Sequence, residues 1–104
     1  MAQGSSISGL ARTLGGVRTR MAAPPSVDVV VADTENHRVL LFSAGAPEGI
    51  VVAGGNKAGD GLHQLDSPCG VAVDPSDGSF VIADCTNDRI VRWARGAKEG
   101  VVVA

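Results

Sequence analysis

The stretch Val29 to Phe42, VVVADTENHRVLLF, returns as Phe80 to Trp93, FVIADCTNDRIVRW, at an offset of 51 residues (Asp84 minus Asp33). Copies of one segment in one chain fold alike, so this period constrains every other reading of the sequence. Across Ala32 to Ala53 and Ala83 to Ala104, eleven of twenty-two aligned positions are identical. They include Asp33/Asp84, Asn36/Asn87, Arg38/Arg89, Gly45/Gly96 and Gly49/Gly100, while Val39/Ile90 and Phe42/Trp93 keep their chemical type. Two unrelated apolar strands would share hydrophobicity without also sharing the glycines, the turn asparagine and the arginine.

Each copy reads as short strands separated by turn chemistry. Val27 to Ala32 is an apolar run of strand length, Asp33 to Asn36 is a polar turn, and Arg38 to Phe42 is the next strand, so the two strands pair antiparallel. Ser43 to Gly49 turns again into a strand over Ile50 to Ala53. Gly54 to Pro68 is a long polar connection with few apolar anchors, of a length that is usually functional or flexible, and its Gly54 to Gly59 part reads as a flexible connector. The second copy opens with a strand over Gly70 to Asp74, turns at Pro75 to Gly78, and continues as Phe80 to Ala83, Arg89 to Trp93 and Val101 to Ala104. Proline presets φ in that turn and Gly78 supplies a left-handed position. One full unit is therefore four antiparallel strands. Val27 to Val31 and Val101 to Val103 are apolar at successive positions, which calls for cover on both faces.

Composition narrows the function classes. Aromatic residues are only Phe42, Phe80 and Trp93, and 44% of the 104 residues are hydrophobic with many Val and Gly, a balance that favours strands and turns. Residues 24–104 hold six basic against eleven acidic side chains, because Arg12, Arg18 and Arg20 lie before them. Such a surface repels phosphate backbones, so a nucleic-acid partner is disfavoured. No apolar run reaches the length of about 18 residues that a membrane span needs. Residues 1–23, with Ser and Arg but no acid, are similar to an organelle transit peptide, or form a poorly ordered tail or a decayed repeat in which Leu14 to Val17 is the remnant of an inner strand. The compartment stays open between the cytoplasm and such an organelle.

The pattern Pro68-x-Gly70-Val71-Ala72-Val73-Asp74, followed by Gly78-x-x-Val81-x-Ala83-Asp84-x-x-Asn87-x-Arg89-Ile90, closely resembles the NHL repeat, the blade of one class of β-propeller. Val31 to Val39 in the first copy resembles that family's most typical turn. The resemblance implies an all-β fold of about two four-stranded antiparallel blades in an incomplete ring. The blades would be a partial one at residues 24–53 and a second at 70–104, joined by an inter-blade loop at 54–69. A closed ring takes at least about four blades, so the chain reads as a fragment of a larger propeller or as a unit that assembles with copies of itself. The family's members bind proteins or RNA, sense signals, or act as lyases.

Candidate chemistry follows from the repeat. Asp33, Arg38, Asp84 and Arg89 read as structural turn residues, because a feature present in every blade is explained by what every blade requires. The turn tips read as a partner-binding rim of Glu35, Asn36, His37, Thr86, Asn87 and Asp88, with the positions that differ between copies as the ones that touch a partner. His37 and His63 lack a third ligand at metal spacing, so no metal is expected. Gly54 to Gly59 lacks the Gly-Lys-Ser/Thr ending and the following helix of a phosphate loop, so no cofactor is expected either. Cys69 and Cys85 fall at neighbouring strand ends. With Asp74 opposite Ser79, Cys69 would face Asp84, which makes a disulfide conceivable, and the first copy carries Thr34 where the second carries Cys85. Phe42 and Trp93 read as filler between blades. The expected function is a non-enzymatic binding or scaffold module that meets a protein partner or itself. An RNA-binding domain and part of a propeller lyase or hydrolase are the alternatives.

Overall fold

The computed structural model describes residues 23–104; the expectations for a tail, a transit peptide or a decayed strand before residue 23 lie outside them. Seven strands form two antiparallel sheets, β1 to β3 and β4 to β7, each ordered as in the chain. In the first sheet β1 is Val29–Asp33, β2 is Arg38–Phe42 and β3 is Ile50–Gly54. In the second, β4 is Pro68–Val73, β5 is Phe80–Asp84, β6 is Arg89–Trp93 and β7 is Val101–Val102. The fold is all-β, with single 3-10 turns at Thr34–Asn36 and Cys85–Asn87 as the helical geometry among the described residues.

The offset in sequence is also an offset in register. Val29 pairs with Phe42 and Asp33 with Arg38, just as Phe80 pairs with Trp93 and Asp84 with Arg89. Both turns close in the same way. Asp33 (φ −87°, ψ 80°) and Asp84 (φ −93°, ψ 80°) open them, and His37 (φ 55°) and Asp88 (φ 50°) end them in the left-handed region. A non-glycine residue there costs roughly 1–2 kcal/mol, which the hydrogen bonds that close each turn offset.

The two sheets share a core. Ala32, Val39 and Ala53 of the first meet Val71, Phe80, Ile82, Val91 and Trp93 of the second, together with Leu65 from the connection. Trp93 and Phe42 are both buried, and the Trp93 Nε1 donates to the Ala97 carbonyl at 2.8 Å, which satisfies its one polar atom. The repeated glycine before each outer strand is explained by that aromatic. A Cβ at Gly49 would lie 2.9 Å from the Phe42 ring, and one at Gly100 would lie 2.7 Å from the Trp93 ring.

Several strand boundaries differ from the sequence reading. Val27 and Asp28 precede β1, because the Asp28 carboxylate accepts the Ala44 N–H at 2.7 Å and holds the chain across a loop. The second sheet begins at Pro68, and a bulge makes Cys69 the extra residue, so Pro68 faces Asp84. β7 is short, and Val101, Val102 and Val103 are exposed at 63, 45 and 50%, in place of cover on both faces. Their counterparts Ile50 and Val51 in β3 are exposed alike, because both strands form the outer edge of their sheets.

Candidate functional site

Each turn is built around a buried carboxylate. Asp33 and Asp84 are both fully buried. At Asp84, Oδ2 accepts Arg89 Nε at 2.8 Å and Asn87 Nδ2 at 2.8 Å, and Oδ1 accepts the Asp66 N–H at 2.7 Å. At Asp33, Oδ2 accepts Arg38 Nε at 2.8 Å and Asn36 Nδ2 at 3.1 Å. A buried carboxylate is tolerated only when paired and hydrogen-bonded, so aspartate, asparagine and arginine form one unit.

Arg89 also reaches outward from its blade. Its Nη1 donates to the Asp60 carbonyl at 2.9 Å and its Nη2 to the Gly61 and Gln64 carbonyls at 3.0 Å each, while Asn87 Nδ2 donates to the Gly59 carbonyl at 2.8 Å. The planar guanidinium thus fastens the inter-blade connection to the second blade. Within the connection, Asn56 Nδ2 donates to the His63 carbonyl at 2.7 Å and Gln64 Nε2 to the Asn56 carbonyl at 3.0 Å. Leu65, fully buried, anchors its end against Gly54. The reading of Gly54 to Gly59 as a flexible connector gives way to a stretch held by bonds at Asn56 and Gly59. A single leucine and the carbonyls taken by Arg89 pin a segment whose composition alone suggested mobility.

The candidate rim residues divide by environment. Glu35, Asn36, Thr86 and Asp88 are exposed. Asn36 and Asn87 turn their amides onto the buried carboxylates. His37 is half-buried, its Nδ1 accepts the Ser67 N–H at 3.0 Å, and it stands 3.6 Å from the Asp66 carboxylate. An accepting Nδ1 places the proton of the neutral ring on Nε2. Among the described residues no group of three or more His, Cys, Asp or Glu is placed to hold a metal ion, and no helix is long and apolar enough to cross a membrane.

Two features escaped the sequence reading or were left open by it. Cys69 and Cys85 are joined in a disulfide with Cα atoms 5.9 Å apart, tying the β4 bulge to the second 3-10 turn. In the first repeat Thr34 occupies the Cys85 position and its hydroxyl donates to the Pro68 carbonyl at 2.8 Å, so both turns grip the start of β4. At the opposite end of the second blade, Asp74 accepts the Ser76 N–H at 2.9 Å, the Ser76 hydroxyl at 2.7 Å and Arg92 Nη1 at 3.0 Å. Those bonds, led by the Ser76 N–H, hold its carboxyl down at a pKa of about 2. A cleft of about 310 Å³ lies where the blades meet, lined by Val52, Ala53, His63, Trp93 and Lys98 among others.

Residues 65–93 match the NHL repeat family. The matched span runs from Leu65, which anchors the connection, through β4, β5 and β6 to Trp93, and so takes in the Asp84, Asn87 and Arg89 unit. The chain carries an NHL repeat there, in keeping with a partial NHL unit. No curated protein matches the chain.

Proposed function

We propose that the chain is a non-enzymatic binding module, in which NHL-type blades form a stiff platform that meets a protein partner through its turn tips. The observation that supports this reading is how the repeated and the variable positions are used. Asn36 and Arg38 bond the buried Asp33, and Asn87 and Arg89 likewise bond the buried Asp84. The tips between them differ, Glu35 against Thr86 and His37 against Asp88, and Glu35, Thr86 and Asp88 stand in solvent. A rigid scaffold with variable exposed tips is how loop-bearing folds divide stability from recognition.

Site-specific photocrosslinking tests this reading. A photoreactive residue at Thr86 or Asp88 of the whole chain, used in native extract, should yield discrete protein adducts that one at Ser76, on the far end of the blade, does not. Equal capture at all three positions, or none at the tips, would overturn it.

A further inference from the structure

The cleft of about 310 Å³ where the blades meet runs beside β3 from Val51 to Gly54 and faces Trp93, Ala97 and Lys98 of the second blade, with His63 of the connection also on its wall. Both walls are internal to the chain, which passes from β3 through the connection into the second blade. Its depth is apolar. Trp93 is only 2% exposed, and Val52 and Ala97 pack against the shared core. A bulge makes Val52 the extra residue between Val51, opposite Leu40, and Ala53, opposite Val39, and so turns Val52 to the core while Val51 stays 48% exposed. The apolar strip continues outward to Ile50, also exposed. No described strand pairs with the far side of β3, the outer strand of its sheet. The mouth carries one sign of charge. Lys98 lies on it, and among the described residues no acidic side chain lines the cleft, although residues 24–104 hold eleven acids against six bases. Lys98 stands where the first copy has Pro47, so this cation is not something that every blade requires.

We propose that this cleft is a docking site for an extended segment of a partner protein that carries a branched aliphatic residue and, two positions along, an acidic one. An interior hole of roughly 150 Å³ admits a benzene ring, so a cleft of about 310 Å³ takes an aliphatic side chain with room beside it. Residues two apart in an extended chain point to the same side, which sets the spacing between the anchor in the cleft and a carboxylate drawn to Lys98. The strip at Ile50 and Val51 gives the segment apolar surface beyond the anchor, and the open side of β3 offers main-chain groups to an added strand. Charge also decides against a second copy of the chain as the occupant. The outer strands it could bring, Ile50–Gly54 and Val101–Val102, hold no acidic residue to meet Lys98.

This surface goes beyond the turn tips, since neither Thr86 nor Asp88 lines it, and peptide titration of the whole chain followed by amide NMR tests it apart from the crosslinking above. Three capped peptides are compared, with the cores Leu-Val-Glu, Leu-Val-Lys and Ala-Val-Glu. The first should bind with shifts centred on Val51, Val52, Ala97 and Lys98, and about fivefold more tightly than the second. Loss of the leucine should weaken binding by at least about tenfold. Lys98→Glu, at an exposed position, should reverse the preference between glutamate and lysine. Val51→Lys, which sets a charge on the open edge, should weaken all three peptides. A chain with a native spectrum that binds none of the peptides overturns the docking site while leaving the crosslinking of the tips intact. Equal affinity for glutamate and lysine, an unchanged preference in Lys98→Glu, undiminished binding to Val51→Lys, or the same shifts produced by self-association without peptide would overturn it too.

Discussion

The guanidinium of Arg89 meets the buried carboxylate of Asp84 at 2.8 Å, and with its two remaining nitrogens takes three carbonyls of the segment that leads into its own blade. One side chain thereby neutralises a buried charge and fixes an inter-blade connection. Arg89→Ala leaves the fully buried Asp84 without its counter-charge and should cost about 3–5 kcal/mol. Arg89→Lys keeps the charge but loses the planar fork, so it should fall between wild type and alanine in urea unfolding.

The glycines make a separable pair. Gly96 sits at φ +78° with open space around it, so Gly96→Ala should cost only the left-handed backbone term of roughly 1–2 kcal/mol. At Gly100 an added Cβ would run into Val91 Cγ1 and the Trp93 ring, so Gly100→Ala should cost about 1–3 kcal/mol through overpacking. Trp93 fluorescence should shift in Gly100→Ala and stay put in Gly96→Ala.

Much of the fold was legible because the repeat carries two kinds of information at once. The apolar runs place the strands and the Asp-x-x-Asn-x-Arg spacing places the turns, so the offset carries the expectation that the two copies pair alike, as they do at Asp33 with Arg38 and Asp84 with Arg89. What escaped depends on distant neighbours. Counting back from the Asp74 turn puts Cys69 opposite Asp84, yet a bulge intervenes, and no local signal marks it. Leu65 reads as one apolar residue in a polar loop until the first blade supplies its socket. Likewise the three valines at 101–103 match a strand covered on both faces, but an outer edge leaves them in water.

The disulfide between Cys69 and Cys85 spans 16 residues of chain. Closing a loop of that size should contribute about 3 kcal/mol by restricting the unfolded chain. Cys69→Ala with Cys85→Thr, which restores the first repeat's residue at the turn, should lower stability by about that amount without moving the strands. Intact mass before and after reduction reports the bond itself, and a reduced chain as stable as the oxidised one would count against its structural role.

Acid sensitivity follows from Asp74. Its carboxyl is held at about 2, below the 3.8 of an unperturbed aspartate, by the Ser76 N–H, the Ser76 hydroxyl and Arg92. The native state therefore holds this proton more weakly than the unfolded chain does. The stabilisation is complete above the unperturbed value and is lost as pH falls through the interval down to about 2. The carboxyl-carbon resonance of Asp74 should titrate near 2, and Asp74→Asn should remove this part of the acid dependence. A midpoint near 3.8 would contradict the hydrogen-bonded turn.

The central claim is that two copies of one β unit share a register and pack through a common core in which Leu65 is seated. Cross-strand amide and methyl NOEs on the whole chain measure both parts together. The account predicts matched NOE patterns for Val30 with Leu41 and Val81 with Arg92, together with NOEs from the Leu65 methyls to the Gly54 α protons. Helical NOEs across either copy, different registers in the two, or Leu65 methyls with water contacts alone would contradict it.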